Sequence, residues 1–287
     1  MSRKPATLFT VCFCRRSYYR LVSFLRQYLL AVQSFTRLPV TGTFAQRAGS
    51  SSETQRASAA HYPGVGWLVG IVACAAFSLL ATALGDTPFA PMAAAVGCIT
   101  ATLMITGGAH EAGLARTADA LGGAAPAARA LDIMKSPGLG SHGVLALALA
   151  LLSKVSLLAV LAAQSPVAVL MALLTGHVLS RFWPLLLASS LPWLGEAGTH
   201  KPLADRLDPR GLGIAAAWSA VALAVAWLAE GPGFAILALA GGGLALLWMS
   251  RLFARRLQGF TDSALGATQQ ICEIATYLGA AVGLRVG

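Results

Sequence analysis

The chain has 287 residues, of which 56% are hydrophobic and only 11% charged, and its formal net charge is +10. A soluble domain carries about 25% charged residues, so the composition excludes one. The mean hydropathy of +0.69, with no alternating apolar pattern of the β-barrel kind, leaves an all-α, polytopic integral membrane bundle.

Residues 1–20 are basic, and no acidic residue precedes Glu53. They read as a basic N-terminal extension, and residues 21–287 as a single membrane-embedded domain. Residues 21–38, LVSFLRQYLLAVQSFTRL, place apolar groups at helical spacing but hold Arg26 and Arg37. That suits a helix lying at the membrane surface better than one crossing it. Residues 41–61 are rich in Gly, Ser, Thr and Gln and read as a loop. About 20 apolar residues are needed to cross a hydrocarbon core about 30 Å thick. Runs of that kind lie at 64–84, 89–106, 143–163, 166–187, 212–229, 234–250 and 264–284, giving about seven spans. They are rich in Ala, Gly and Leu, as close helix packing in lipid requires.

Basic residues concentrate in alternate loops: Arg47 and Arg56; Arg116, Arg129 and Lys135; Lys201, Arg206 and Arg210; Arg251, Arg255 and Arg256. The loops around Asp86, Ser165 and Glu230 carry none. This asymmetry predicts a cytoplasmic N-terminus and an outside C-terminus. The lipid bilayer then becomes the partner of the basic face, and nucleic acid is not expected. Cys12, Cys14, Cys74, Cys98 and Cys272 show no C-x-x-C pair or metal spacing.

The predicted topology gathers the segments 107–142, 188–211 and 251–263 on the cytoplasmic side. The first holds TGGAHEAGLARTADALGG (106–123), a polar, Gly-rich insert between two apolar runs. Glu111 and Asp119 are eight apart and return to nearly one face if the segment is helical, where they would hold a metal ion beside a phosphate. Gly107 and Gly108 allow close backbone approach, and their amides would cradle an anionic ligand. His110 is a candidate proton carrier, and His142 a weaker one. Lys135 would meet a phosphate as a point charge. Lys201 lies in KPLADR, a basic loop suited to an anionic ligand or a lipid headgroup. Lys154 and Arg181 sit inside apolar runs, where ionisable groups mark function or pair internally.

The segments SFTRLPV (34–40), HYPGVGWLVG (61–70), TGGAHEAGLARTADALGG (106–123), LDIMKSPGLGSHGVLAL (131–147) and TDSALGATQQICE (261–273) together resemble the cobalamin synthase family, in order, from about residue 21 to the C-terminus. The resemblance implies a Mg2+-dependent enzyme of the bacterial inner membrane, with its site facing the cytoplasm. The implied reaction transfers the adenosylcobinamide phosphoryl group from adenosylcobinamide-GDP to α-ribazole or its 5′-phosphate and releases GMP. Other cobalamin-assembly enzymes are the implied partners.

The implied catalytic residues are His110, Glu111, Asp119 and Lys135. Gly107, Gly108 and Lys201 would bind substrate, and Glu111, Asp119 and Asp262 would hold Mg2+. The chain departs from the family pattern where it carries Ala112, Arg116, Ser136 and Ser263, each at a position usually held by aspartate. Two other readings stay open to the residues. One is a catalytically impaired corrinoid-binding scaffold or transporter. The other is a membrane phosphotransferase of CDP-alcohol type, of whose motif only Gly113-Leu-Ala-Arg116 is matched.

Overall fold

The computed structural model describes residues 22–39, 52–123, 125–195 and 207–286. Helix α1 covers residues 22–35 and α2 covers Ser52–Ala59. They are followed by α3 (Tyr62–Leu84), α4 (Ala90–Thr106), α5 (Ala109–Leu121), α6 (Ala127–Lys135), α7 (Ser141–Gln164), α8 (Pro166–Ser190), α9 (Pro209–Arg256) and α10 (Asp262–Val286).

The helix ends follow from local chemistry. The Ser165 hydroxyl accepts from the Val167 and Ala168 amides at the start of α8, and the Asp208 carboxylate accepts from the Gly211 amide at 2.8 Å at the start of α9. Proline stands in the first turn of α3, α4, α8 and α9, where no amide hydrogen is needed. Gly107 and Gly108 both adopt left-handed backbone, with φ of 75° and 69°. They turn α5 away from α4 by 94°. Gly231, with φ of 86°, breaks α9 into two arms. The first arm ends with Glu230 accepting from the Ser165 hydroxyl. The second returns to the α5 end, where Arg256 donates to the Leu121 and Gly123 carbonyls.

Helix α8 is the centre of the bundle. Of its most apolar stretch 78% is buried, against 22% for α3, α7 and α9. It packs on α3, α7, α9 and α10. One apolar cluster, including Phe77, Leu158, Leu173, Phe234 and Tyr277, fills the end far from α5. A second, including Met134, Leu187, Phe253 and Phe260, lies under α5 and α6. Leu79, Met104, Leu149 and Leu228 point outward and are more than three-fifths exposed, a surface that suits lipid rather than water.

By length and composition four helices can cross a membrane, α3, α7, α8 and α9, or five if α4 and α5 form one broken span. Every expected span coincides with helix, but two of them, 212–229 and 234–250, are the arms of α9. The last, 264–284, falls in α10, which does not qualify because it carries Gln269, Gln270, Glu273 and Thr276 inward. The expected loop at 41–61 contains α2. The segment 21–38 is helical as expected over 22–35, as α1, whose Ala31 and Val32 pack against Val65 and Val69 of α3. Residues 1–20 lie outside the described residues.

Candidate functional site

Helix α5 lays a stripe of one helical face, Ala109, Ala112, Gly113 and Arg116, along a cavity of about 620 Å3. The opposite wall is the start of α10, with Asp262, Ser263, Leu265 and Gly266. His110 and Tyr62 line it too, joined by a 3.1 Å hydrogen bond between the Tyr62 hydroxyl and His110 Nε2. The two helices touch through glycines. A Cβ on Gly113 would stand 2.9 Å from the Ser263 carbonyl oxygen, so a larger residue there would part the walls. Three of the four positions where the resemblance implies an aspartate, Ala112, Arg116 and Ser263, therefore line one space.

A second cleft of about 470 Å3 opens between α5, α6 and the start of α7, lined by Asp119, Arg129, Asp132, Ser136 and His142 among others. Here the Asp119 carboxylate accepts from the amides of Gly140 and Gly143, both at 2.7 Å. It caps α7, because a carboxylate satisfies the amides that the first helical turn leaves unbonded.

Deeper in the bundle lies a buried polar network. Lys154 of α7 and Glu273 of α10 form an ion pair at 2.9 Å, with side chains 4% and 3% exposed. Glu273 also accepts from the Tyr277 hydroxyl and from Gln269, each at 2.9 Å. Gln269 accepts from Gln270 at 2.7 Å, and Gln270 donates to Glu111 at 2.9 Å. The chain of contacts thus runs from Lys154 up to α5. Arg181 donates to the His177 carbonyl at 2.8 Å, and its guanidinium carbon lies 5.9 Å from the Tyr62 ring centre. Around the entry to α3, Trp218 donates to His61 Nδ1 at 3.3 Å, which leaves Nε2 to donate to Gln27. Burial lowers the His61 pKa to about 4.

The sequence-predicted residues are thus divided. His110 and Asp262 meet at the cavity. Glu111 turns toward Gln270, and its second carboxylate oxygen is buried without a partner. Asp119 belongs to the other cleft. Glu111, Asp119 and Asp262 are not gathered, and among the described residues no three His, Cys, Asp or Glu groups stand close enough to hold an ion. The reason is geometric. Eight residues of helix advance about 12 Å and turn about 80° past full rotation, so Glu111 and Asp119 face different neighbours. Gly107 and Gly108 serve the bend, and the Gly107 carbonyl accepts from Arg37 at 3.5 Å. Lys135 is exposed at the end of α6 and lines neither cleft. Lys201 lies outside the described residues.

Sequence reasoning missed Tyr62, His177, Gln269, Gln270 and Glu273 as members of the site's support. A signal was available: Gln269, Gln270 and Glu273 fall inside an expected span, where polar groups cost most.

These features define an all-α membrane protein with a cavity of mixed polarity at one end of the bundle. The sequence profile of the cobalamin-5-phosphate synthase family matches residues 27–281. Three bacterial relatives share the name adenosylcobinamide-GDP ribazoletransferase. The chain is 51% identical to that of Polaromonas sp. (strain JS666) over 91% of this chain and 98% of the relative. The identity is 49% for that of Polaromonas naphthalenivorans, over 92% and 100%. It is 35% for that of Ralstonia nicotianae, over 87% and 92%. The chain belongs to the cobalamin-5-phosphate synthase family. No solved structure matches it.

Proposed function

We propose that this chain is an adenosylcobinamide-GDP ribazoletransferase of cobalamin biosynthesis, acting at the cavity between α5 and α10. The observation that carries this reading is the convergence of two family segments, 106–123 and 261–273, on one cavity wall. In the reaction, a hydroxyl oxygen of α-ribazole or its 5′-phosphate attacks the cobinamide-bearing phosphorus. The bond from that phosphorus to GMP breaks, and GMP leaves with the electron pair. His110 accepts the hydroxyl proton at Nδ1, in the tautomer whose Nε2–H donates to the Tyr62 hydroxyl. Such a transfer depends on positioning and on charge that meets the diphosphate.

The carboxylates of the described residues do not fit a resident Mg2+ site, because Glu111 turns to Gln270, Asp119 caps α7, and Asp262 alone among them lines this wall. No step is therefore assigned to the ion. The cavity end is read as cytoplasmic because Arg116 lines the cavity, Arg129 the neighbouring cleft, and Arg256 bonds to the end of α5, and the membrane is read as the bacterial inner membrane from the bacterial relatives.

The test is to incubate the purified chain in lipid nanodiscs with adenosylcobinamide-GDP and α-ribazole, in buffer containing Mg2+, and follow GMP and the cobalamin product by mass spectrometry. Stoichiometric GMP and product are expected. Folded protein that binds the corrinoid and releases no GMP would overturn the enzymatic reading and leave a binding protein.

A further inference from the structure

The cavity wall carries one cation, Arg116, and one carboxylate, Asp262, where a metal-binding diphosphate site would gather several carboxylates. Arg116 is exposed and, among the described residues, makes no hydrogen bond or ion pair. Its neighbours along the stripe, Ala109, Ala112 and Gly113, are small and uncharged. Across the cavity stand Ser263 and one carboxylate, Asp262. Of the other acids of this region, Glu111 holds Gln270 with one oxygen and keeps its second buried and unpartnered away from Arg116, and Asp119 caps the start of α7.

An unpaired guanidinium is a ready phosphate ligand. It is always charged, it is less strongly hydrated than an ammonium, and its planar fork matches two phosphate oxygens at once. We infer that this chain meets the diphosphate of its substrate with a fixed cation, the Arg116 guanidinium, in place of a carboxylate-held divalent ion, so that nucleotide binding here does not require Mg2+. The inference rests on the proposed function, and it makes Arg116 a substrate-binding residue of that cavity.

The test uses the full chain in nanodiscs and follows binding of adenosylcobinamide-GDP by equilibrium dialysis, reading the corrinoid absorbance. Each variant is measured once with EDTA and once with Mg2+, and GMP release is recorded in parallel. The wild-type dissociation constant is expected to agree within about threefold between the two conditions. Arg116→Ala is expected to weaken binding about tenfold or more in both, the scale of a lost charge-assisted hydrogen bond. Arg116→Lys falls between them, because a point charge keeps attraction but loses the fork. Arg116→Asp binds measurably only when Mg2+ is present, since it places a second carboxylate beside Asp262. Thermal unfolding of each variant confirms that the fold is retained, which an exposed position permits.

Wild-type binding that is lost in EDTA, or Arg116→Ala binding as tightly as wild type, would overturn the inference. If GMP is still released in those cases, the proposed function stands without it. No binding by any variant in either condition, together with no GMP release, would overturn both.

Discussion

The polar groups at the middle of the bundle and those at its α5 end have opposite characters. Glu273 has its ion pair with Lys154 and two further hydrogen bonds, and it is closed off from solvent. Arg116, at the cavity, is exposed and unpaired among the described residues. A buried carboxylate with both oxygens engaged fixes helices relative to one another, and its charge is unavailable to a ligand. A charge left unpaired at a cavity wall gives the fold little and is available to bind. The contrast assigns architecture to the first region and recognition to the second, although both consist of residues that are rare in so apolar a chain.

The largest effect should come from breaking the ion pair. Lys154→Met leaves Glu273 buried without its cation and is expected to destabilise the chain by about 3–5 kcal/mol. Adding Glu273→Gln to it should recover most of that loss, a coupling that thermal unfolding of the two single variants and the double variant would measure. Equal and additive losses would place the network outside the architectural role.

A smaller effect is expected at Asp119. Asp119→Ala removes the acceptor for Gly140 and Gly143 and should cost about 1–2 kcal/mol, with Asp119→Ser restoring part of it. GMP release per folded molecule should change little. A loss of turnover without a loss of stability would return Asp119 to the site and blur the division.

The effect confined to the narrowest conditions is a pH dependence. His61 is neutral in the folded chain with its pKa lowered to about 4, against 6.5 when unfolded. Between those values the unfolded chain binds a proton that the folded chain does not. Stability should therefore fall as the pH drops from 6.5 toward 4 and stay level above 6.5. His61→Gln should flatten that part of the curve, as chemical denaturation at several pH values would show.

The apolar helices were legible in the sequence because length and composition alone define them. The runs at 64–84, 143–163 and 166–187 match α3, α7 and α8 closely. The polar insert was harder. Its glycines read as a phosphate cradle or as packing residues, and the positive φ of Gly107 and Gly108 adds a third use, the turn between α4 and α5. Glu111 and Asp119 share one helix but meet different neighbours, Gln270 of α10 and the start of α7, and spacing along one helix does not say which neighbouring helix each side chain meets. His110 and Asp262 lie 152 positions apart, and nothing local in the sequence pairs them. That pairing comes from the Gly113–Gly266 crossing. The partner of Lys154 was hidden for the same reason.

The central claim is that transfer occurs between α5 and α10 and not in the cleft beside α6. A matched pair of cavity-filling variants tests it most directly: Ala112→Phe in the first space and Ser136→Phe in the second. GMP release from adenosylcobinamide-GDP is measured on nanodisc protein whose melting temperature stays close to wild type. The account predicts a loss of about 100-fold or more for Ala112→Phe, the scale of a displaced substrate, and near wild-type turnover for Ser136→Phe. Turnover that survives Ala112→Phe and fails in Ser136→Phe would contradict it.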